Sequence, residues 1–198
     1  MSVITAKHPY IESLLKGYEM PRSGISWLNE RRAHALERAN ALSVPTSRDE
    51  EWRFTDISPL TRVNFRAATD ASRLALADIS SLIVPEAGAR LVFVDGAFAP
   101  ALSAATGLPQ GVVVASLAAA LDAHAGSIEP HLARHAAFDG EVFPALNTTC
   151  LRDGAFIWVA SNRKYPAPIQ LLFVSTQTGI AAYPRCLVIA EAGSECTL

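Results

Sequence analysis

The chain has 198 residues, of which 50% are hydrophobic and 18% charged, and its formal net charge is −2 at pH 7. It is too apolar for a disordered chain, and no apolar run reaches the roughly 18 residues that a membrane-spanning helix needs. No basic block exceeds two residues, so neither nucleic acid nor a membrane is expected as a partner. Its three cysteines, an odd number, and a start without an apolar signal segment predict a cytoplasmic protein without a disulfide framework.

Residues 1–80 are predicted to form a helical region. From Pro9 to Met20 apolar side chains recur at helical spacing, and Pro21 ends the pattern. Ser26 is predicted to cap a second helix. One face of that helix carries Leu28, Ala35, Ala39 and Leu42, whereas Arg31 and Arg32 fall elsewhere. We expect Trp27, Trp52 and Phe54 to be at least half buried, because an apolar helix face needs such partners.

Residues 81–143 are predicted to form a mixed connecting region. Leu91 to Phe98 is predicted to form a strand, an Asp-Gly turn and a returning strand. Gly111 to Val114 is predicted to form a further strand. Ser116 is expected to cap a helix over Leu117–His124 that stops at Gly126. Another helix is predicted from Ile128 to Phe138, with Pro130 in its first turn.

Residues 144–198 are predicted to be mainly β. Three segments are rich in β-forming residues and lie too close together for intervening helices of normal length: Ala155–Ala160, Ile169–Ser175 and Cys186–Ala190. Antiparallel hairpins and a coiled β-solenoid both remain open. Glu195–Leu198 resembles the opening of another strand, so we expect this chain to be the truncated part of a longer protein.

No catalytic residue is predicted. The chain contains no phosphate-binding loop, no dinucleotide-binding glycine pattern and no nucleophile elbow. Asp49, Glu50 and Glu51 form an acidic run near Asp56, but Arg48 and Arg53 flank it, which favours local ion pairing over a carboxylate site.

Two groups of residues are candidate metal ligands. His131 and His135 would share a face of the predicted helix, but Leu132 stands where the zincin motif has glutamate, so two ordinary surface histidines remain the alternative. Cys150, Cys186 and Cys196 have separations of 36 and 10 residues, which match no compact metal clip. The first two are expected to pack as small apolar side chains. No metal or cofactor ligand is therefore assigned.

The segment from Pro45 to Ile57 resembles the N-terminal signature of the SufD family, in which a Pro-Thr step precedes Glu-x-Trp-Arg-aromatic-Thr-Asp. Further similar segments follow in the family's order: Leu91–Phe98 with Leu102-Ser103, Ala145–Thr148, Leu151–Ile157, Pro168–Ser175 and Ala190–Glu195. Two departures stand out. Ser161–Lys164 replaces a turn that usually contains glycine, and Cys150 stands where an apolar or aromatic residue is commoner.

The resemblance implies a scaffold subunit of the SUF-type iron–sulfur cluster assembly machinery, the SufBCD complex, and no enzyme. It implies an α+β fold, in which an N-terminal helical region leads into the start of a right-handed parallel β-helix. The implied partners of the whole protein are its paralogue SufB and the ATPase SufC, which docks on a C-terminal segment beyond Leu198. The cluster is handled by the full complex, and its residues are expected beyond this chain.

Two functions of other classes are alternatives to the scaffold. A sugar-handling β-helix enzyme needs paired carboxylates in a groove, whereas residues 151–198 offer only Asp153, Glu191 and Glu195. A small metal-binding module would use His131, His135 and a cysteine. If the β-helix is incomplete, its last turn lacks pairing partners, and the chain is expected to self-associate.

Overall fold

The computed structural model describes residues 8–16, 19–67 and 74–198. Its helices are α1 (Pro9–Leu15), α2 (Ser26–Ala41), α3 (Leu117–Ile128) and α4 (Val142–Thr149). Its strands are β1 (Arg66–Ala67), β2 (Ala89–Val94), β3 (Ala97–Phe98), β4 (Val112–Ser116), β5 (Ala155–Val159), β6 (Ile169–Val174), β7 (Ile180–Ala181) and β8 (Leu187–Ala190). Short 3-10 helices occupy Glu50–Trp52, Leu60–Arg62, Leu76–Leu82 and Pro100–Leu102.

The chain divides into two compact units, each built from separate stretches of sequence. The first contains the described residues up to Ala67 together with Ala133–Leu151 and Gly179–Ala181. The second contains the described residues of Ala68–Leu132 together with Arg152–Thr178 and Ala182–Leu198. Within the described residues, no helix is both long and apolar enough to cross a bilayer.

The first unit is built on the packing of α2 against α4. The predicted face of α2 is confirmed at Leu28, Ala35 and Ala39, which are buried. The helix begins at Ser26, but Ile25 is its cap residue and no side chain caps it. Instead, the Asn29 side chain exchanges two hydrogen bonds with the main chain of Ser23.

Helix α1 is shorter than its apolar pattern predicts. It ends at Leu15, and its cap residue Lys16 is already extended. Tyr10 and Ile11 are buried as expected. Tyr18, the last apolar residue of the predicted stripe, lies outside the described residues.

One further helix prediction was wrong in where the helix ends, and another was wrong because the helix does not form. Helix α3 has the predicted Ser116 cap, but it continues past Gly126 to Ile128 with non-helical dihedral angles at His124. The helix predicted over Ile128–Phe138 does not form, since these residues are turns once α3 has ended. Pro130 has no N–H to continue the helical ladder, which explains the stop.

Helix α4 lies where the β region was expected to begin. It covers Val142–Thr149 and buries Val142, Ala145 and Leu146, which are three and four residues apart. Pro144 stands in its first turn, where a missing N–H costs nothing.

The second unit contains two three-stranded sheets, with the strand orders β3-β2-β6 and β4-β5-β8. Strand β2 is buried on both faces. Leu91 and Phe93 pack in one core with residues of β4, β5 and β6, whereas Val92 and Val94 pack in another with Ile79 and Leu102. A strand covered on both faces is typically a continuous apolar run, as Leu91–Val94 is, and Arg90 alone departs from it in β2.

The predicted Asp-Gly hairpin between β2 and β3 is confirmed. The strands pair antiparallel, Phe93 opposite Phe98 and Val94 opposite Ala97. Asp95 and Gly96 have φ values of 51° and 87°. Positive φ at both central residues is the requirement of a type I′ turn, whose twist matches that of the strands.

The strands after residue 150 do not form antiparallel hairpins with one another. β5 pairs with β4 antiparallel and with β8 parallel. β6 pairs with β2 in parallel. β7, which the sequence pattern did not indicate, pairs in parallel with β1 in the first unit.

Candidate functional site

The signature segment around Trp52 lines a cavity of the first unit. Asp49 Oδ2 accepts hydrogen bonds from Thr46 N at 2.7 Å and Thr46 Oγ1 at 3.2 Å, which closes the turn after α2. The 3-10 helix Glu50–Trp52 follows directly. The cavity has a volume of about 530 Å³ and is lined by residues 41–45, 49–52 and 140–143.

Apolar side chains contribute part of the cavity wall. The rings of Trp52 and Phe143 contact each other with their centroids 5.7 Å apart. Val44 and Val142, which are buried, also line the cavity. An apolar wall combined with a few polar groups is typical of ligand and peptide sites.

All of the charged residues that line the cavity are acidic. Asp49, Glu50, Glu51 and Glu141 line the cavity, and no Lys, Arg or His does. The predicted ion pairs with Arg48 and Arg53 were wrong: within the described residues neither arginine pairs with this acidic run. The Arg53 guanidinium lies over the Phe54 ring instead, 5.7 Å from its centroid.

The aromatic residues predicted to be buried divide into two groups. Trp27 and Trp52 are more than half buried, as predicted. Phe54 is 94% exposed, so that prediction was wrong. A single 3-10 turn buries only one of its sides, and Trp52 takes that place. Asp56, two residues further on, accepts hydrogen bonds from Ser58 N and Oγ, which lower the pKa of its carboxyl group.

A second candidate feature lies in the other unit, where strands stack at a constant spacing along the chain. β5 and β8 pair in parallel, with Phe156 opposite Leu187 and Val159 opposite Ala190. Lys164 forms a parallel bridge with Glu195. Each of these pairs is 31 residues apart, since 187 − 156 and 195 − 164 are both 31.

The turns between these paired segments stack at the same spacing. Asn162 and Gly193 have φ values of 58° and 70°. Asn162 N donates to Ala192 O at 2.9 Å, and a β-carbon at Gly193 would lie 2.6 Å from Asn162 Oδ1. Asparagine therefore adopts the left-handed conformation that glycine usually supplies, which accounts for the departure in the Ser161–Lys164 turn.

Polar side chains join successive turns of this stack. The Glu191 carboxylate accepts hydrogen bonds from Trp158 Nε1 at 2.8 Å and from Ser161 N and Oγ at 2.9 and 2.8 Å. These hydrogen bonds favour the charged form and lower the pKa of Glu191. Lys164 Nζ lies 2.5 Å from Glu195 Oε2. The strands are thus linked through both main chain and side chains.

The three carboxylates considered for sugar chemistry are all engaged in structure. Glu191 and Glu195 hold the stacked turns. Asp153 Oδ1 accepts hydrogen bonds from Ala118 N and Gly154 N at 2.9 and 2.8 Å. Desolvation by burial outweighs these hydrogen bonds and raises the pKa of Asp153.

The candidate metal ligands do not form a site. Neither His131 nor His135 is in a helix, so the shared-face argument fails. Cys150 is buried as expected, but Cys186 is exposed, contrary to its expected packing, and Cys196 is partly buried. Within the part of the chain that the structure describes, no three His, Cys, Asp or Glu side chains are grouped to hold a metal ion.

Two buried charged residues were missed by the sequence analysis. Arg32 is only 3% exposed, and it donates to Leu151 O from Nε and Nη2 and to Pro21 O from Nη1. Asp95 is 4% exposed, and its carboxylate accepts hydrogen bonds from Thr176 N and Oγ1 at 2.7 and 2.5 Å. Leu151 is 119 residues from Arg32, and Thr176 is 81 residues from Asp95, so no local pattern signals these two contacts.

Comparison with known proteins identifies similar sequences. Residues 13–171 match the family model described as the SufBD protein N-terminal region. The chain is 36% identical over 176 residues to the iron–sulfur cluster assembly SufBD family protein slr0076 of Synechocystis. The matched residues make up 87% of this chain and 38% of that relative. It is 24% identical over 200 residues to the iron–sulfur cluster assembly protein SufD of Bacillus subtilis, covering 98% of this chain and 44% of that protein. The chain therefore spans less than half the length of these two relatives.

Proposed function

The chain belongs to the SufBD family, and from that premise we propose that it serves as a scaffold subunit of SUF-type iron–sulfur cluster assembly and catalyses no reaction itself. The observation that carries the proposal is the family match over residues 13–171. The relatives from Synechocystis and Bacillus subtilis both have iron–sulfur cluster assembly in their names. In this proposal the cluster is cargo of the whole assembly.

We propose further that the protein is cytoplasmic and that its strands after residue 150 begin a right-handed parallel β-helix. The constant 31-residue spacing of the β5–β8 and Lys164–Glu195 pairs supports this proposal. A coil of constant length, repeated in register, places each strand beside its counterpart in the next coil. The stacked turns at Asn162 and Gly193 have the same spacing.

The proposed partners are a SufB-like paralogue and a SufC-like ATPase, which the SufD resemblance implies for the whole protein. Any ATP hydrolysis would belong to the SufC-like partner. The 198-residue chain alone is expected not to retain the SufC-like partner in a pull-down, because the implied docking segment lies beyond Leu198. Stoichiometric retention would contradict this placement.

Two alternatives have less support. A β-helix sugar enzyme needs free paired carboxylates, whereas Asp153, Glu191 and Glu195 are held by the contacts described above. A small metal-binding module would need His131, His135 and a cysteine together, and no such group occurs among the described residues.

Depletion of the protein in its own organism tests the scaffold proposal. Aconitase, which carries an iron–sulfur cluster, is expected to lose activity, and malate dehydrogenase, which carries none, is expected to keep it. Chemical reconstitution of the extract with iron and sulfide should restore the aconitase activity. Unchanged aconitase activity, or an equal loss in both enzymes, would contradict the proposal.

A further inference from the structure

We propose that the acidic cavity lined by Trp52 binds a basic segment of a partner protein, which inserts an arginine or lysine side chain between the carboxylates and the Trp52 ring. The residues that line this cavity belong to the first unit, and the stacked strands belong to the second. The inference therefore does not depend on the proposed scaffold function.

The charge of the lining selects a cation. Four acidic residues line the cavity, Asp49, Glu50, Glu51 and Glu141, and no Lys, Arg or His does. Asp49 is engaged by Thr46. Within the described residues, the carboxylates of Glu50, Glu51 and Glu141 have no hydrogen bond or ion pair of their own. The negative charge of this lining has no cation to balance it within the cavity, so a cationic side chain placed there would be attracted to it.

The aromatic wall selects a cation with an apolar stem. Trp52 and Phe143 pack against each other beside these carboxylates. Tryptophan is the side chain on which a guanidinium or ammonium group packs best, and arginine and lysine bury their aliphatic stems on apolar surface. The cavity volume of about 530 Å³ exceeds the space of one side chain and so admits a neighbouring residue too.

The segment that lines the cavity continues into an apolar side chain without cover. Phe54 follows Trp52 by two residues and is 94% exposed. Its contact with the Arg53 guanidinium leaves the ring in solvent. A large apolar side chain in that state is typical of interaction surfaces. A partner segment with alternating basic and apolar residues would satisfy both the acidic cavity and this ring.

Binding of a short fluorescein-labelled peptide of alternating arginine and leucine to the 198-residue chain, measured by anisotropy, tests the proposal. The variant E50Q/E51Q/E141Q keeps the shape of the cavity and removes three charges, and we expect it to weaken binding about tenfold or more. The matched control is E12Q/E30Q/E37Q, which removes three exposed acids of the same unit outside the cavity and should change affinity less than about twofold.

A second pair of measurements isolates the aromatic contact. The variant F54S changes an almost fully exposed position. It should weaken the binding of the peptide severalfold without altering the thermal unfolding of the chain. A peptide with citrulline in place of arginine keeps the size and loses the charge, and it should not bind measurably.

Five results would overturn the proposal. The first four are no saturable binding, an equal loss in both triple variants, displacement of the peptide by spermidine at equal concentration of charge, and equal binding of the citrulline peptide. Removal of residues 1–7, which include Lys7, is a further test. If their removal tightened binding about tenfold, the occupant would be the chain's own N-terminus and the proposal would be wrong.

Discussion

Arg32 is a charged side chain in a buried position of α2. Its guanidinium donates to Leu151 O at 3.1 and 2.6 Å and to Pro21 O at 2.9 Å. These hydrogen bonds compensate for the loss of water around the charge. They also join α2 to the segment just before it and to Leu151, which is 119 residues from Arg32.

Replacement of Arg32 by methionine should lower the free energy of unfolding by about 3 kcal/mol, because buried carbonyl groups at Pro21 and Leu151 lose their donors. Urea unfolding followed by circular dichroism measures the change. Arg48→Met is the matched control at an exposed position and should change stability by less than about 0.5 kcal/mol. Equal effects of the two substitutions would contradict the role given to Arg32.

The environment of Asp153 predicts the sign of a pH dependence of the free energy of unfolding. Burial raises the pKa of its carboxyl group above the ordinary value of 3.8. The folded protein therefore keeps this proton to higher pH than the unfolded chain does. The stability linked to the proton is present below the ordinary pKa and is lost as pH rises through the folded value.

The free energy of unfolding of the wild type, minus that of Asp153→Asn, should therefore fall as pH rises from about 3 to about 6. Denaturation by urea at a series of pH values in that range gives both quantities. Taking the difference removes the contribution of the other carboxylates. A difference that increased with pH would show that the hydrogen bonds from Ala118 and Gly154 outweigh the burial of Asp153.

At the scale of elements, the close approach of β5 to the segment before β8 depends on a glycine. A β-carbon added to Gly154 would lie 1.8 Å from Arg185 O, a main-chain atom that cannot move aside alone. Gly154 directly precedes β5, and Arg185 lies two residues before β8. The parallel pairing of these strands therefore requires the absence of a side chain at residue 154.

Gly154→Ala should lower the free energy of unfolding by at least about 3 kcal/mol, since the sheet has to separate to admit the methyl group. Gly126→Ala is the matched control within α3, where a β-carbon would meet nothing within 4 Å. It should raise stability by about 0.5–1 kcal/mol, because alanine favours the helix. Thermal unfolding of both variants checks the opposite signs, and destabilisation by both would contradict the assignment.

For the whole molecule, the described strands leave β8 at an open edge of its sheet. β8 is the last strand in the order β4-β5-β8. Val188 on this strand is 39% exposed. An edge strand with exposed apolar side chains is a template for pairing with another chain.

We expect the 198-residue chain to self-associate through β8 and Val188→Lys to suppress the association, because a charge on an edge strand opposes pairing. Size-exclusion chromatography with light scattering over a range of concentrations measures both chains. Ser127→Lys adds the same single positive charge at an exposed position outside the strands and is the matched control. A wild-type chain that remains a monomer at every concentration would contradict the expectation. A shortened chain ending near Asp139 would also lose α4, which packs against α2.

Local sequence patterns by themselves determined much of the secondary structure. The Asp-Gly hairpin, the Ser116 cap and the strands β5, β6 and β8 were predicted within a few residues, because turn chemistry, capping and β-forming runs act between near neighbours. The order of the family motifs likewise indicated the SufBD family, which the match to residues 13–171 confirms.

Only the tertiary structure decided which of these elements meet. The helix predicted after Ile128 does not form, α4 stands at the start of the predicted β region, and Phe54 is exposed where burial was expected. The burial of Arg32, the partners of Asp95 and the pairing of β5 with β8 join residues from 31 to 119 positions apart. Periodicity in sequence reports which face of an element is apolar, but contacts at such separations depend on packing, which no local pattern contains.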